Sequence, residues 1–213
     1  MISVIFDMDG TLLDTQRICI PAWEYAGRCQ GFEGAGEHIP NVCGMNNQGS
    51  NQYIEDNFHG VDPDKFKEDA RDYIARNGVV KYKEGAVELL KFLKSKGIKI
   101  ALATGTSRPS VMHHLAAVDG EKYFDAIVCG GDVTNGKPAP DIFLLAAEKL
   151  GAEPQDCFVL EDSTNGVIAA VEAGMKCIGI PDIVSFGEET KGKLFAHCKS
   201  MHEALEIVKK NFC

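Results

Sequence analysis

Two aspartates separated by one residue, Asp7 and Asp9, follow the apolar run 3–6 near the start of the chain. An unpaired carboxylate beside a buried strand is costly, so acids at this place indicate a function. One carboxylate can attack phosphorus as a nucleophile, while the second protonates the leaving oxygen and then activates water. Gly10 lets the backbone approach a phosphate group. The pattern favours phosphoryl chemistry, with a surface Asp-Gly turn as the alternative.

Two further polar side chains suit a bound phosphate. Thr104 ends the apolar run 98–104 and is followed by Gly105, so its hydroxyl can donate to a phosphate oxygen. Lys137 precedes two prolines that stiffen its loop, and its ammonium can neutralise both a nucleophile and a phosphate. Taken alone, Lys137 could equally be a solvated surface lysine.

Two adjacent acids, Glu161 and Asp162, follow the apolar run 157–160. Their oxygens suit magnesium, a hard cation that prefers oxygen ligands. The alternative is that Asp162 or Ser163 only caps the next helix. One cap would not need two acids, so the pair predicts a metal site.

After about residue 83, two sequence patterns alternate along the chain, and they predict the elements that must position these residues. Short apolar runs without polar interruption are typical of buried parallel strands, and apolar residues at helical spacing lie between them. This alternation predicts an α/β fold with a mostly parallel sheet covered by helices on both faces. The predicted strands are 2–6, 98–104, 126–129, 157–160 and 176–180.

The region 15–82 differs from the rest, because it has helical patterns, polar loops and few strand candidates. We therefore predict a helical cap domain over 15–82, inserted into a catalytic core made of 1–14 and 83–213. The chain crosses this border twice, which makes a natural hinge.

Bulk properties exclude several classes of protein. The 213 residues carry a formal net charge of −9, which argues against a nucleic-acid partner. No apolar stretch is long enough to span a membrane, and the first apolar run does not resemble a signal peptide. The eight cysteines form no CxxC pair, which favours reduced thiols in the cytoplasm. We expect a monomer and leave a dimer open.

Taken together, these motifs resemble the haloacid dehalogenase superfamily, and most closely its β-phosphoglucomutase-like branch. The resemblance rests on 7–11, Thr104, Lys137 and 161–162, which follow the family's order along essentially the whole chain. It implies a Rossmann-like three-layer core with a helical cap inserted after the first strand.

The resemblance also implies roles for individual residues. Asp7 is the implied nucleophile and Asp9 the acid/base. The implied magnesium ligands are the Asp7 and Asp162 side chains and the Asp9 carbonyl, with Glu161 binding directly or through water. Thr104 and Lys137 are expected to hold the transferring phosphoryl group. The expected substrate-binding residues are Gly10, Thr11, Gly105 and Asn47.

The cap departs from the mutase pattern at two places. Mutases of this branch carry a basic cap residue, where the stretch 43–48 has the neutral Asn47, and a histidine, near which this chain has Cys19. We therefore predict a magnesium-dependent phosphatase of a small phosphomonoester, such as a sugar phosphate. The alternatives are a sugar-phosphate mutase and a non-catalytic protein that binds a phosphorylated metabolite.

Four other polar side chains are predicted to have no role in the site. Lys65 and Lys67 lie two residues apart in an acidic helix, which indicates a solvated face. His113 and His114 lie in a helical pattern and are expected to pack or to face solvent rather than to bind metal.

Overall fold

The computed structural model describes residues 2–42, 45 and 47–212. Its centre is one sheet of six strands in the order β3-β2-β1-β4-β5-β6, with every neighbouring pair parallel. From β1 the chain adds β2 and β3 on one side, and then β4, β5 and β6 on the other side, so the strand order reverses between β1 and β4. Open α/β sheets bind ligands at such a place. The α/β prediction is confirmed.

The strands form where the apolar runs occur, because parallel strands covered on both faces bury nearly every side chain. All four residues of the first strand are buried, and so are all five of the fourth. The strand bounds are β1 Ser3–Phe6, β2 Lys99–Ala103, β3 Ala126–Val128, β4 Cys157–Glu161, β5 Lys176–Gly179 and β6 Ala196–His197.

Helices occupy most of the remaining described residues. In the second half of the chain they alternate with the strands, as crossover connections between parallel strands require. The helix bounds are α1 Gln16–Cys29, α2 Ile39–Val42, α3 Asn47–Asn57, α4 Pro63–Asn77, α5 Ala86–Ser95, α6 Arg108–Ala117, α7 Asp141–Leu150, α8 Thr164–Glu172, α9 Glu188–Lys193 and α10 Met201–Phe212.

Alternation along the strands divides the core into two apolar clusters, one on each face of the sheet. Val4 and Phe6 point to one face and pack with residues of α5, α6 and α10. Ile5, between them, points to the other face and packs with residues of α7 and α8. Helix, sheet and helix therefore form the three layers that the resemblance implies.

Helices α1, α3 and α4 pack around an apolar cluster of their own, built on Trp23, Phe58 and Phe66. Two backbone hydrogen bonds pair the chain segments that connect this region to the sheet: Asp14 N donates to Lys81 O at 2.9 Å, and Lys83 N to Leu12 O at 2.9 Å. The division into 15–82 and the rest stays a prediction.

Within the described part of the chain, every helix is too short or too polar to cross a bilayer. No disulfide bond joins cysteines of the described residues.

Candidate active site

Residues far apart along the chain meet at the carboxyl edge of the sheet. Asp7 follows β1, Thr104 follows β2, and Glu161 ends β4, which are adjacent strands. Because parallel strands end at the same edge, these side chains and Lys137 line the floor of one cavity of about 540 Å³. The four predicted catalytic residues, Asp7, Asp9, Thr104 and Lys137, all line it.

Lys137 joins two carboxylates at the centre of the floor. Its Nζ donates to Asp7 Oδ1 at 2.6 Å and to Glu161 Oε1 at 2.6 Å, and all three side chains are buried. The ammonium also lies 4.9 Å from the centre of the Phe143 ring, which adds a cation–π contact. The second Glu161 oxygen accepts from the Ser163 backbone at 2.7 Å. Lys137 is therefore held between the acids and is not solvated.

The floor has more negative charge than Lys137 can neutralise. Burial, with Glu161 and Asp9 nearby, raises the pKa of Asp7 to about 7 although Lys137 opposes the shift. Burial and the same acidic neighbourhood also raise the pKa of Asp162 well above its ordinary value. Burial alone would lower the pKa of Lys137, but Asp7 and Glu161 outweigh burial and raise it.

The Asp9 carboxylate is held by three hydroxyl groups. Thr15 Oγ1 donates to Oδ1 at 2.7 Å, while Thr106 Oγ1 and Thr104 Oγ1 donate to Oδ2 at 2.6 Å and 3.2 Å. The side chain is only half-buried and has no ammonium partner within the described residues. Hydroxyl donors orient this carboxylate without neutralising it, which suits a group that exchanges protons. Sequence reasoning found Thr104 but missed Thr15 and Thr106.

Gln16, the first residue of α1, was also missed by sequence reasoning. Its Nε2 donates to Asp162 Oδ2 at 2.5 Å and to the Asp9 carbonyl at 3.2 Å. Its Oε1 is buried without a hydrogen-bond partner in the described part of the chain. The other Asp162 oxygen accepts from Thr11 Oγ1 at 3.1 Å. The signal for Gln16 was its place directly after the expected border of the cap.

A divalent cation fits this donor set. Asp7, Glu161 and Asp162 each offer a carboxylate oxygen, and these atoms lie within 4.8 Å of one another. Hard oxygen ligands suit magnesium, and burial beside other acids raises the pKa of Asp7 and Asp162, a shift that a bound cation would oppose. Both oxygens of Glu161 and both oxygens of Asp162 already accept hydrogen bonds, whereas only Oδ1 of Asp7 does so within the described residues. The assignment of each ligand stays a prediction.

Two glycines make room for the acids. Gly10 has a φ of +85°, and a Cβ there would overlap Asp162 Oδ2 and Gln16 Nε2. A Cβ on Gly166, in the first turn of α8, would overlap the Glu161 carboxylate. The backbone is therefore shaped around these side chains at both places.

The predicted substrate-binding residues are distributed around this site. Gly105 and Asn47 line the cavity, on the floor and on the cap side respectively. Gly10 and Thr11 are not among the cavity-lining residues, and the Thr11 hydroxyl is bonded to Asp162. Of the cap stretch 43–48, residues 43, 44 and 46 lie outside the described residues. The substrate roles of these residues stay predictions.

The prediction of a solvated Lys67 is wrong. This side chain is half-buried, lines the cavity, and donates to Asn47 O at 2.8 Å and Ser50 Oγ at 2.7 Å. The sequence misled because Lys65, two residues earlier, does pair with acids of its own helix. A shift of two residues moves a side chain to a different face of an α-helix. His113 and His114 also line the cavity, outside the acidic cluster.

Comparison with known proteins finds a matching family and similar phosphatases. The haloacid dehalogenase-like hydrolase profile matches residues 4–180. A phosphorylated carbohydrates phosphatase of Thermotoga maritima is 36% identical over 181 residues, which cover 84% of each chain. A fructose-1-phosphate phosphatase of Escherichia coli is 32% identical, with 84% of this chain and 95% of that protein covered.

Solved structures agree with the family profile. The crystal structure of a putative β-phosphoglucomutase from Thermotoga maritima superposes with a TM-score of 0.80 and 32% identity, over 99% of each chain. This similarity extends through both the sheet and the helices of 15–82. The resemblance predicted from the motifs is confirmed.

Proposed function

The chain belongs to the haloacid dehalogenase-like hydrolase family, and on this premise we propose that it hydrolyses a small phosphomonoester through a phosphorylated Asp7. The names of its relatives favour a sugar phosphate or a similar metabolite as substrate. One observation carries the proposal. Lys137 binds Asp7 Oδ1, while Oδ2 has no hydrogen bond within the described residues and belongs to a side chain lining the cavity.

In the first step an Asp7 oxygen attacks phosphorus, and the bond from phosphorus to the leaving alcohol breaks. Asp9 gives its proton to that alcohol oxygen. In the second step Asp9 takes a proton from water, the water oxygen attacks phosphorus, and the bond to Asp7 breaks. Inorganic phosphate leaves, and both carboxylates return to their starting states.

The surrounding residues stabilise the charge of the transferring group. Lys137 remains charged beside Asp7, because its pKa is raised, and it can contact an equatorial phosphoryl oxygen. Thr104 can donate a hydrogen bond to the same group. Asp7, the Asp9 carbonyl and Asp162 would hold magnesium, with Glu161 directly or through water, and bound magnesium supplies further positive charge.

We also propose that residues 15–82 act as a cap over the cavity. The chain crosses the border of this region near Asp14 and again near Lys83, and backbone hydrogen bonds pair the two segments. This arrangement supports a hinge there. A cytoplasmic location and a monomeric state belong to the same proposal, and the lack of disulfide bonds among the described cysteines is consistent with a reducing compartment.

The test is phosphate release from a panel of phosphorylated metabolites, with 4-nitrophenyl phosphate and acetyl phosphate as general substrates. We expect turnover with magnesium and none after treatment with a chelator. Tight binding of a metabolite without release of phosphate would instead favour the non-catalytic binding protein.

A sugar-phosphate mutase remains the second candidate, because a structure titled as a putative β-phosphoglucomutase is similar over the whole chain. A mutase must retain its doubly phosphorylated intermediate, whereas a phosphatase releases phosphate to water. Isomerisation of β-glucose 1-phosphate, measured beside phosphate release, separates the two.

A further inference from the structure

Helix α4 presents two cationic side chains to the cavity, Lys67 and Arg71. They are four residues apart and therefore share one face of the helix. The hydrogen-bond acceptors of Lys67 are the Asn47 carbonyl and the Ser50 hydroxyl, which are both neutral. Within residues 2–42, 45 and 47–212 neither cation forms an ion pair. This face of α4 is therefore positively charged: Lys67 is half-buried, Arg71 is exposed, and Asp64 influences Lys67 without pairing with it.

Partial burial makes this arrangement unfavourable for the protein alone. Burial, together with the neighbouring Arg71, lowers the pKa of Lys67 to about 8, although Asp64 opposes the shift. Lys65, on the outer face of the same helix, pairs with Asp69 at 2.6 Å and with Glu68 at 3.3 Å. A cation turned away from available acids and towards a cavity indicates that its partner comes from outside the chain.

The acids of the cavity cannot serve as that partner. The acidic residues that line it lie at the sheet edge, where they hold Lys137 and the proposed magnesium site; they are Asp7, Asp9, Glu161 and Asp162. Apart from these cations, the cap side of the cavity is largely apolar, and its lining includes Ile18, Trp23, Val42, Ile74 and Val80. The cavity therefore joins an acidic floor, the proposed phosphoryl-transfer site, to a cap side that carries apolar side chains and two cations.

We propose that Lys67 and Arg71 bind a second anionic group on the substrate, a carboxylate or a phosphate, at the part that is not transferred. This inference rests on the proposed phosphatase function. The carbon skeleton lies along the apolar walls, and a volume of about 540 Å³ is sufficient for a substrate of this kind. Lys67 is then a specificity-determining residue, because a neutral alcohol would leave its ammonium without a charged partner.

Two sets of substrates, built on carbon skeletons of different length, test this proposal. In each set the end remote from the transferred phosphate carries an alcohol, a carboxylate or a second phosphate. The short set is glycerol 3-phosphate, 3-phosphoglycerate and glycerol 1,3-bisphosphate. The long set is sorbitol 6-phosphate, 6-phosphogluconate and sorbitol 1,6-bisphosphate. The measured quantity is kcat/KM for phosphate release with magnesium, expressed as the ratio of each anionic substrate to its matched alcohol. The carboxylate and phosphate arms distinguish the two sources of charge.

We expect the parent protein to prefer an anionic substrate in at least one set. In Lys67→Met that ratio should fall about ten-fold or more, mainly through KM, because a charge-assisted hydrogen bond is lost. Lys67→Arg should retain most of the ratio. Lys65→Met, on the outer face of the same helix, is the matched control and should leave every ratio unchanged.

The inference is wrong if the ratios of Lys67→Met equal those of the parent in both sets, or if the parent prefers the alcohols. A role of Lys67 only in fixing Asn47 and Ser50 would change all substrates alike and leave the ratios intact. If the folded parent protein releases no phosphate from any of the six compounds or from acetyl phosphate, the proposed function itself fails, which is a distinguishable outcome.

Discussion

Two lysines line the same cavity, and they differ in their partners: one lies between carboxylates and the other binds neutral acceptors. Lys137, on the floor, is fully buried between two carboxylates, each 2.6 Å away, and its pKa is raised. Lys67, on the cap side, is half-buried against neutral acceptors, and its pKa is lowered to about 8. The protein itself supplies the counter-charge for the floor lysine. The cap lysine forms no ion pair within the described residues, which is the basis of our proposal that the two sides of the cavity recognise different parts of a substrate.

The largest effect on activity is expected from substituting Asp7, on the floor of the cavity. Asp7→Asn should reduce phosphate release by about 10⁴-fold or more, because the nucleophile is lost. The metal-free variant should be no less stable than the parent at pH 8, since the folded protein disfavours charge at this position. Asp119→Asn is the control, because Asp119 is exposed and asparagine tolerates its φ of +50°. Turnover by pure Asp7→Asn would contradict the nucleophile assignment.

Removing each lysine tests the comparison directly. Lys137→Met should lower the free energy of unfolding by about 3–5 kcal/mol, because Asp7 and Glu161 would remain buried without their cation. Lys67→Met should change it by less than about 1 kcal/mol, because its acceptors are neutral. Denaturant unfolding in the absence of magnesium measures both. Equal losses for the two variants would show that the two environments do not differ as described.

The close approach of α8 to Glu161 can be tested with a single methyl group. Gly166→Ala should lower the free energy of unfolding by roughly 1–3 kcal/mol, because the new Cβ displaces the carboxylate that binds Lys137. In Gly192→Ala, within α9, the Cβ meets open space, so stability should be unchanged or increase by up to about 1 kcal/mol. Similar behaviour of both variants would mean that Glu161 is free to move.

The excess negative charge of the floor predicts a pH dependence of stability. Asp7 has an ordinary pKa of 3.8 and a folded-state pKa of about 7, so the folded protein binds more protons than the unfolded chain between these values. The metal-free protein should therefore lose stability as pH rises from about 4 to about 7. Magnesium should stabilise most at the upper end of this range, and Asp7→Asn should flatten the profile. A metal-free stability that increases with pH would contradict the raised pKa.

The sheet and its catalytic edge could be predicted because their signals are local. Each apolar run before Asp7, Thr104 and Glu161 is a strand, and parallel strands must end at one edge. Lys137 was found because two prolines marked its loop. The two-residue strand β6 was not predicted, since Ala196 and His197 carry no apolar run of their own.

Side-chain direction and long-range pairing could not be predicted. Lys65 and Lys67 have the same residue type and an acidic neighbourhood, and only the packing of α4 against α1 and α3 turns one of them inward. Gln16 and Thr106 bind Asp162 and Asp9, but hydrogen bonds between distant segments leave no periodic pattern in a sequence. These residues became visible only with the tertiary contacts.

The central claim is that Asp7 receives the phosphoryl group, and trapping that group tests it most directly. Asp9→Asn should phosphorylate from acetyl phosphate, which has a good leaving group, but should hydrolyse the product slowly because no base activates water. After incubation with ³²P-labelled acetyl phosphate, acid quenching and digestion, we predict label on the peptide containing Asp7, released by neutral hydroxylamine. Multiple turnover by the parent protein, with label absent from Asp7 in the Asp9→Asn protein, would contradict this account.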